Sequence, residues 1–144
     1  MREDRLPSLL EDFDRVHGLY PNTSLSLEID YYTELATEVA EFCDRHRGDF
    51  DYLIGAIHTV DQLAVTVPAE FNILVRRFGL LGTIKRYFDE EEAAIQANLF
   101  DGMAHLDGVM RYVTVYPGIG QAEAFWQVRT RELANLCRQQ GVLV

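Results

Sequence analysis

Asp51-Tyr52-Leu53-Ile54-Gly55-Ala56-Ile57-His58-Thr59-Val60-Asp61 is the stretch that decides how this chain is read. A polar opening leads into an apolar run of strand length, which stops at His58 and, three residues on, Asp61. Such a run reads as a buried strand of an α/β protein. A histidine at the carboxyl end of such a strand occupies the usual place of a site residue in barrels and open α/β sheets.

Two other segments end the same way. Ser24-Leu25-Ser26-Leu27-Glu28-Ile29-Asp30 runs into Glu28 and Asp30, and Phe100-Asp101-Gly102-Met103-Ala104-His105-Leu106-Asp107 runs into His105 and Asp107. Strand side chains alternate between faces. Glu28 is therefore expected beside Ser26 and Asp30, away from Leu25, Leu27 and Ile29, and His105 beside Met103 and Asp107. If the three strands are parallel, Glu28, His58 and His105 converge at one end of one sheet. One glutamate and two histidines form a metal-ligand set. Each segment also has an aspartate two or three residues further on (Asp30, Asp61 and Asp107), suited to orient an imidazole ring or to ligate directly. Each residue has a duller reading. Glu28 alone is a surface carboxylate, and His58 or His105 alone is a core histidine bonded to a carbonyl. The joint pattern favours the site.

The 144 residues fit one domain spanning 1–144, and an apolar fraction of 48% is enough for a core. The formal net charge of −10 argues against a nucleic-acid groove and an anionic membrane surface. It also opposes an anionic substrate, unless bound cations reverse the sign locally. Cys43 and Cys137, on apolar helix faces and without a CxxC partner, read as free thiols of a reducing, cytoplasmic compartment. No apolar run approaches the ~20 residues of a membrane span. Met1-Arg2-Glu3-Asp4-Arg5 is too charged to open a secretory leader.

Outward from the opening stretch, helical spacing predicts helices over about 5–17, 32–46, 69–77, 80–99 and 121–139. Strands are expected over about 23–30, 51–58 and 101–107, and Val142-Leu143-Val144 looks like a fourth beginning. Residues 62–67 are compatible with an extended segment, and 108–120 with a loop. The run Asp89-Glu90-Glu91-Glu92 reads as a solvated face. His17 and His46, near helix ends, suit a dipole interaction rather than ligation. Strands alternating with helices mean a parallel sheet with right-handed crossovers. Four strands cannot close a barrel. The alternatives are a small open sheet, a sheet whose edges a partner covers, or part of a larger barrel, and the short last strand favours the third.

The three quoted segments resemble consecutive motifs of the polymerase-and-histidinol-phosphatase (PHP) superfamily, with the histidinol-phosphatase branch most similar. That family shows GxExD, DYxIGSxH and FDxxGHxD segments in this order. Phe88 and its helix fit as well, as does Leu136-Cys137-Arg138-Gln139-Gln140-Gly141-Val142. The resemblance implies part of a distorted (β/α)7 barrel holding two or three divalent metals (zinc, manganese or iron) and hydrolysing phosphomonoesters with a metal-activated water. By carry-over, Glu28 resembles a metal-bridging glutamate, and His58 and His105 resemble cluster ligands. Arg111 lies just past the third motif, where the family often has basic residues, and is a candidate phosphate clamp; a plain surface arginine is the duller and commoner reading.

The departures are specific. The family's His-x-His pair occurs nowhere in this chain, the sequence stops before the point of the family's closing Asp-x-His segment, His17 is not in the context of the family's histidine ahead of GxExD, and Ala56 and Ala104 replace a common serine and glycine. The expectation is therefore a central portion of a histidinol-phosphatase-like domain with an incomplete ligand set: a fragment, a split protein or a degenerate domain. The alternative is a non-catalytic PHP-derived subunit that oligomerises or binds a complementing chain across open sheet edges.

Overall fold

The computed structural model describes residues 5–117 and 119–144. Its elements are α1 (Leu6–Leu19), β1 (Ser26–Asp30), α2 (Ala36–His46), β2 (Tyr52–Ala56), β3 (Thr59–Val60), β4 (Leu63–Ala64), α3 (Pro68–Gln96), β5 (Gly102–Met103) and α4 (Ile119–Gln140). Short 3-10 turns precede and follow α2, at Thr33–Leu35 and Arg47–Asp49. The fold is mixed α/β. β1, β2 and β5 form a parallel sheet in that order, and Leu143 adds a parallel bridge beside Gly102. Among the described residues this sheet is open.

Carboxylates at the strand starts set the register. Asp51 accepts the Leu25 N–H at 2.7 Å. Asp101 accepts the Leu53 N–H at 2.7 Å and the Arg47 guanidinium at 2.5 Å. Each acid thus pins the start of the neighbouring strand, so β1 and β2 pair from Ser26–Tyr52 to Asp30–Ala56. Gly55 is required by packing. A Cβ there would lie 2.5 Å from the Phe100 ring and 2.9 Å from the Met103 sulfur.

The sheet has one covered and one open face. Leu53 and Ile57 are fully buried, in one core with Phe71, Leu74, Ile84, Tyr87 and Phe88 of α3 and Leu133 of α4. The opposite face carries Glu28 and its register partner Ile54, followed by Gly102. There Tyr52, Leu143 and Val144 are 46%, 65% and 71% exposed, around an apolar hollow of ≈ 300 Å³.

Pro68 opens α3 behind an extended Val67, as expected of proline at a helix start. The two helices expected over 69–77 and 80–99 are continuous except at Gly79 (φ 71°, ψ 163°). At the end of α4, Gly141 adopts φ 74°, with Val142 N–H donating to the Cys137 carbonyl at 2.9 Å. This Schellman-type stop turns the chain so that Leu143 can pair beside β5. Cys43 and Cys137 are free and buried. Among the described residues no helix is long and apolar enough to cross a membrane.

Three expectations are corrected, and one segment left open by the sequence takes a definite form. The strand expected over 101–107 is only Gly102–Met103, because the chain turns at His105 (φ 34°). Residues 108–115 are a 3-10 helix rather than a loop. Thr59–Ala64 is an antiparallel hairpin around Asp61 and Gln62, both with positive φ, the backbone of a tight primed turn. The sequence hides it because neither residue is glycine or asparagine. The acidic run is not a solvated face. Glu90 accepts from the Thr33 N–H and hydroxyl, Glu92 pairs with Arg129, and Glu91 is fully buried.

Candidate metal centre

Three strand ends deliver the site. Glu28 projects from β1, His58 follows β2 by two residues, and His105 follows β5 by two residues. One donor atom from each lies within 4.8 Å of the others. Glu28 Oε1 is 3.6 Å from His58 Nε2, and the two imidazole centroids are 4.9 Å apart at a 58° tilt. Glu28 and His105 are exposed and His58 is half-buried, so the cluster opens to solvent.

Asp30 sits behind His58. Its Oδ1 accepts from His58 Nδ1, and its Oδ2 accepts the Tyr32 hydroxyl at 3.2 Å. Burial and then the Asp30 charge push the Tyr32 phenol up from its ordinary value, so it stays a donor. With Nδ1 engaged, Nε2 is the ring atom that faces the Glu28 carboxylate. At 3.6 Å a protonated ring pairs with Glu28 directly, and a neutral ring presents its lone pair to a cation shared with that carboxylate. The donor set, one carboxylate and two imidazoles, is a common one for zinc and similar ions. Tetrahedral ligand bonds of about 2.0–2.2 Å set donors roughly 3.3–3.6 Å apart. Glu28 and His58 already have that spacing, and the cluster fits one ion once its widest pair closes by about an ångström.

His105 shares no strand face with Asp107, since both lie past the end of β5. Asp107 lines a cleft of ≈ 440 Å³ with His58, His105, Thr66 and Arg111. Arg111 thus opens onto the same cleft as both histidines. Asp61 does not orient His58; from the hairpin turn it pairs with Arg77 of α3. His17 and His46 lie apart from the cluster, against Thr23 and Asp49 respectively. Tyr32 and Thr66 were missed in the sequence. Tyr32 lies two residues past the end of the GxExD-like segment, and that spacing from Asp30 is the signal that was available.

No protein-family profile matches the chain, and no curated protein matches its sequence. A solved structure does. The chain is similar in fold to the crystal structure of a candidate histidinol phosphatase from Listeria monocytogenes, with a TM-score of 0.85 and 14% sequence identity. The match covers 97% of this chain and 57% of that one. At this identity the likeness establishes the fold alone. The chain spans little more than half the length of the protein it resembles.

Proposed function

We propose that this chain carries part of a metal-dependent phosphoesterase centre of histidinol-phosphatase type. The observation that carries the reading is the Glu28, His58 and His105 cluster at the ends of parallel strands, beside a cleft that contains Arg111. The fold likeness to a candidate histidinol phosphatase supports it.

Glu28, His58 and His105 would hold a divalent cation such as zinc, manganese or iron, with Asp30 and Asp107 close by. Bound there, the ion would polarise a phosphoryl oxygen and lower the pKa of a coordinated water. Asp30 keeps the His58 ring in one orientation. Arg111 offers a guanidinium to the phosphate group of a small phosphomonoester. Cations at this point also answer the chain's net charge of −10, which otherwise repels an anionic substrate. Histidinol phosphate, and with it a step in histidine biosynthesis in the cytoplasm, is the specific form of this proposal.

Elemental analysis of protein purified without a histidine tag tests it, together with release of phosphate from histidinol phosphate and p-nitrophenyl phosphate. Near-stoichiometric metal that disappears in Glu28→Ala and His58→Ala is expected. Unchanged metal content in both variants would sink the assignment.

A second reading is favoured by the open apolar face of Tyr52, Ile54, Leu143 and Val144. In it the chain is a non-catalytic or incomplete subunit, and a different polypeptide supplying further strands covers that face. Two copies of this chain would duplicate the same ligands without adding new types, so a complementing chain serves the chemistry better than a homodimer. Light scattering distinguishes them: a dimer dispersed by Leu143→Lys favours self-association, and a monomer leaves the face for another chain.

A further inference from the structure

Beneath the turn that carries His105 lies a polar pair that the proposed reaction does not use. Tyr87 and Glu91, one helical turn apart on α3, are both fully buried. The Tyr87 hydroxyl donates to the His105 carbonyl at 3.2 Å, and the same carbonyl accepts the Gly108 N–H at 2.8 Å. The turn wraps closely around that hydroxyl. A Cβ added at Gly108 would lie 2.9 Å from Tyr87 Oη and 3.1 Å from His105 Nδ1. His105 has φ 34°, a conformation that residues other than glycine seldom adopt and that the surroundings must hold in place.

Neither carboxyl oxygen of Glu91 makes a hydrogen bond among the described residues. An ionised carboxylate there would be a bare charge in an apolar core. Tyr87 has one hydroxyl proton and gives it to His105. Its remaining lone pair can satisfy Glu91 only if Glu91 carries a proton to donate. Burial pushes the Glu91 carboxyl up to about 8. The other titratable groups that bear on the pair are Cys137 of α4 and Asp107, and neither is a cation.

We propose that Glu91, as a neutral carboxylic acid, donates to Tyr87, and that Tyr87 in turn holds the His105 carbonyl, so that the pair positions His105 for metal ligation. The inference rests on the reading of Glu28, His58 and His105 as a metal centre. Tyr87 and Glu91 are positioning residues, since neither reaches the cleft.

The test measures cobalt(II) affinity at pH 7 by calorimetry, and amide exchange of Gly108 by NMR in metal-free protein. Tyr87→Phe and Glu91→Leu should each weaken cobalt binding about tenfold or more, the scale of effect of groups that orient a ligand, and should speed Gly108 exchange. Glu91→Gln keeps an N–H donor for Tyr87 and should stay within about twofold of the parent protein on the same scale. Wild-type affinity and exchange in Tyr87→Phe would overturn the proposal. So would a Glu91→Gln as impaired as Glu91→Leu, which would mean that the anion is needed. If Tyr87→Phe does not fold, the two Glu91 variants carry the comparison. His58→Ala separates the layers: cobalt binding unchanged there ends the metal-centre reading, while Gly108 exchange still reports whether Tyr87 holds the turn.

Discussion

Asp30 accepts from Nδ1 of His58, and this one contact decides which nitrogen of the ring is left for chemistry. Nε2, 3.6 Å from Glu28 Oε1, is the free one. Asp30→Asn should therefore weaken divalent-metal affinity by about 10- to 100-fold without abolishing it, whereas His58→Ala should abolish it. Titration calorimetry on the two variants checks the ranking. Equal losses would place Asp30 among the ligands themselves.

Arg111 shares the cleft with both histidines. If it binds the phosphate, Arg111→Ala removes a charge-assisted bond of roughly 1.5–3 kcal/mol. The expected result is a KM raised about tenfold or more with a smaller change in kcat. Steady-state kinetics on p-nitrophenyl phosphate reads the difference. A fall in kcat alone would move Arg111 out of ground-state binding.

The buried Glu91 predicts a pH dependence of stability. Its carboxyl titrates near 4.5 in the unfolded chain and is pushed up to about 8 in the fold. Between those values the native state holds the extra proton, so stability falls as pH rises from about 4.5 to 8 and then levels off. The loss is on the order of a few kcal/mol. Glu91→Gln should remove this slope, as urea unfolding at pH 5 and pH 8 would show. A parent protein with the same slope as the variant would contradict the assignment.

Gly55 has the Phe100 ring and the Met103 sulfur where a Cβ would go. Gly55→Ala should cost about 1–3 kcal/mol from overpacking, measured by denaturant unfolding. Because Gly55 pairs with Met103 across β2 and β5, the strain falls on the strand that leads to His105.

Much of the site was legible because strand ends announce themselves. Apolar runs that stop at Glu28, His58 and His105 marked three converging chain positions, and parallel pairing brings their donor atoms within 4.8 Å. What stayed hidden is non-local or rests on backbone angles. The hairpin at Asp61 and Gln62 uses positive φ without glycine, and Glu91 is buried by the way α3 meets its neighbours, although its sequence neighbours are all acidic. The third strand was read too long because Ala104, His105 and Leu106 continue an apolar pattern through a turn that Tyr87 and Gly108 hold.

The break at Gly79 gives α3 the character of two short levers joined by a swivel. Its φ of 71° and ψ of 163° lie in a region essentially reserved for glycine, so this residue is dictated by the joint itself. The first lever, with Arg77, is tied to the hairpin through Asp61; the second, with Tyr87, is keyed to the turn at His105. Both levers are seated in the same core, the first through Phe71 and Leu74 and the second through Ile84 and Tyr87. The joint therefore lets one helix serve two anchoring points that a straight rod could not reach in phase.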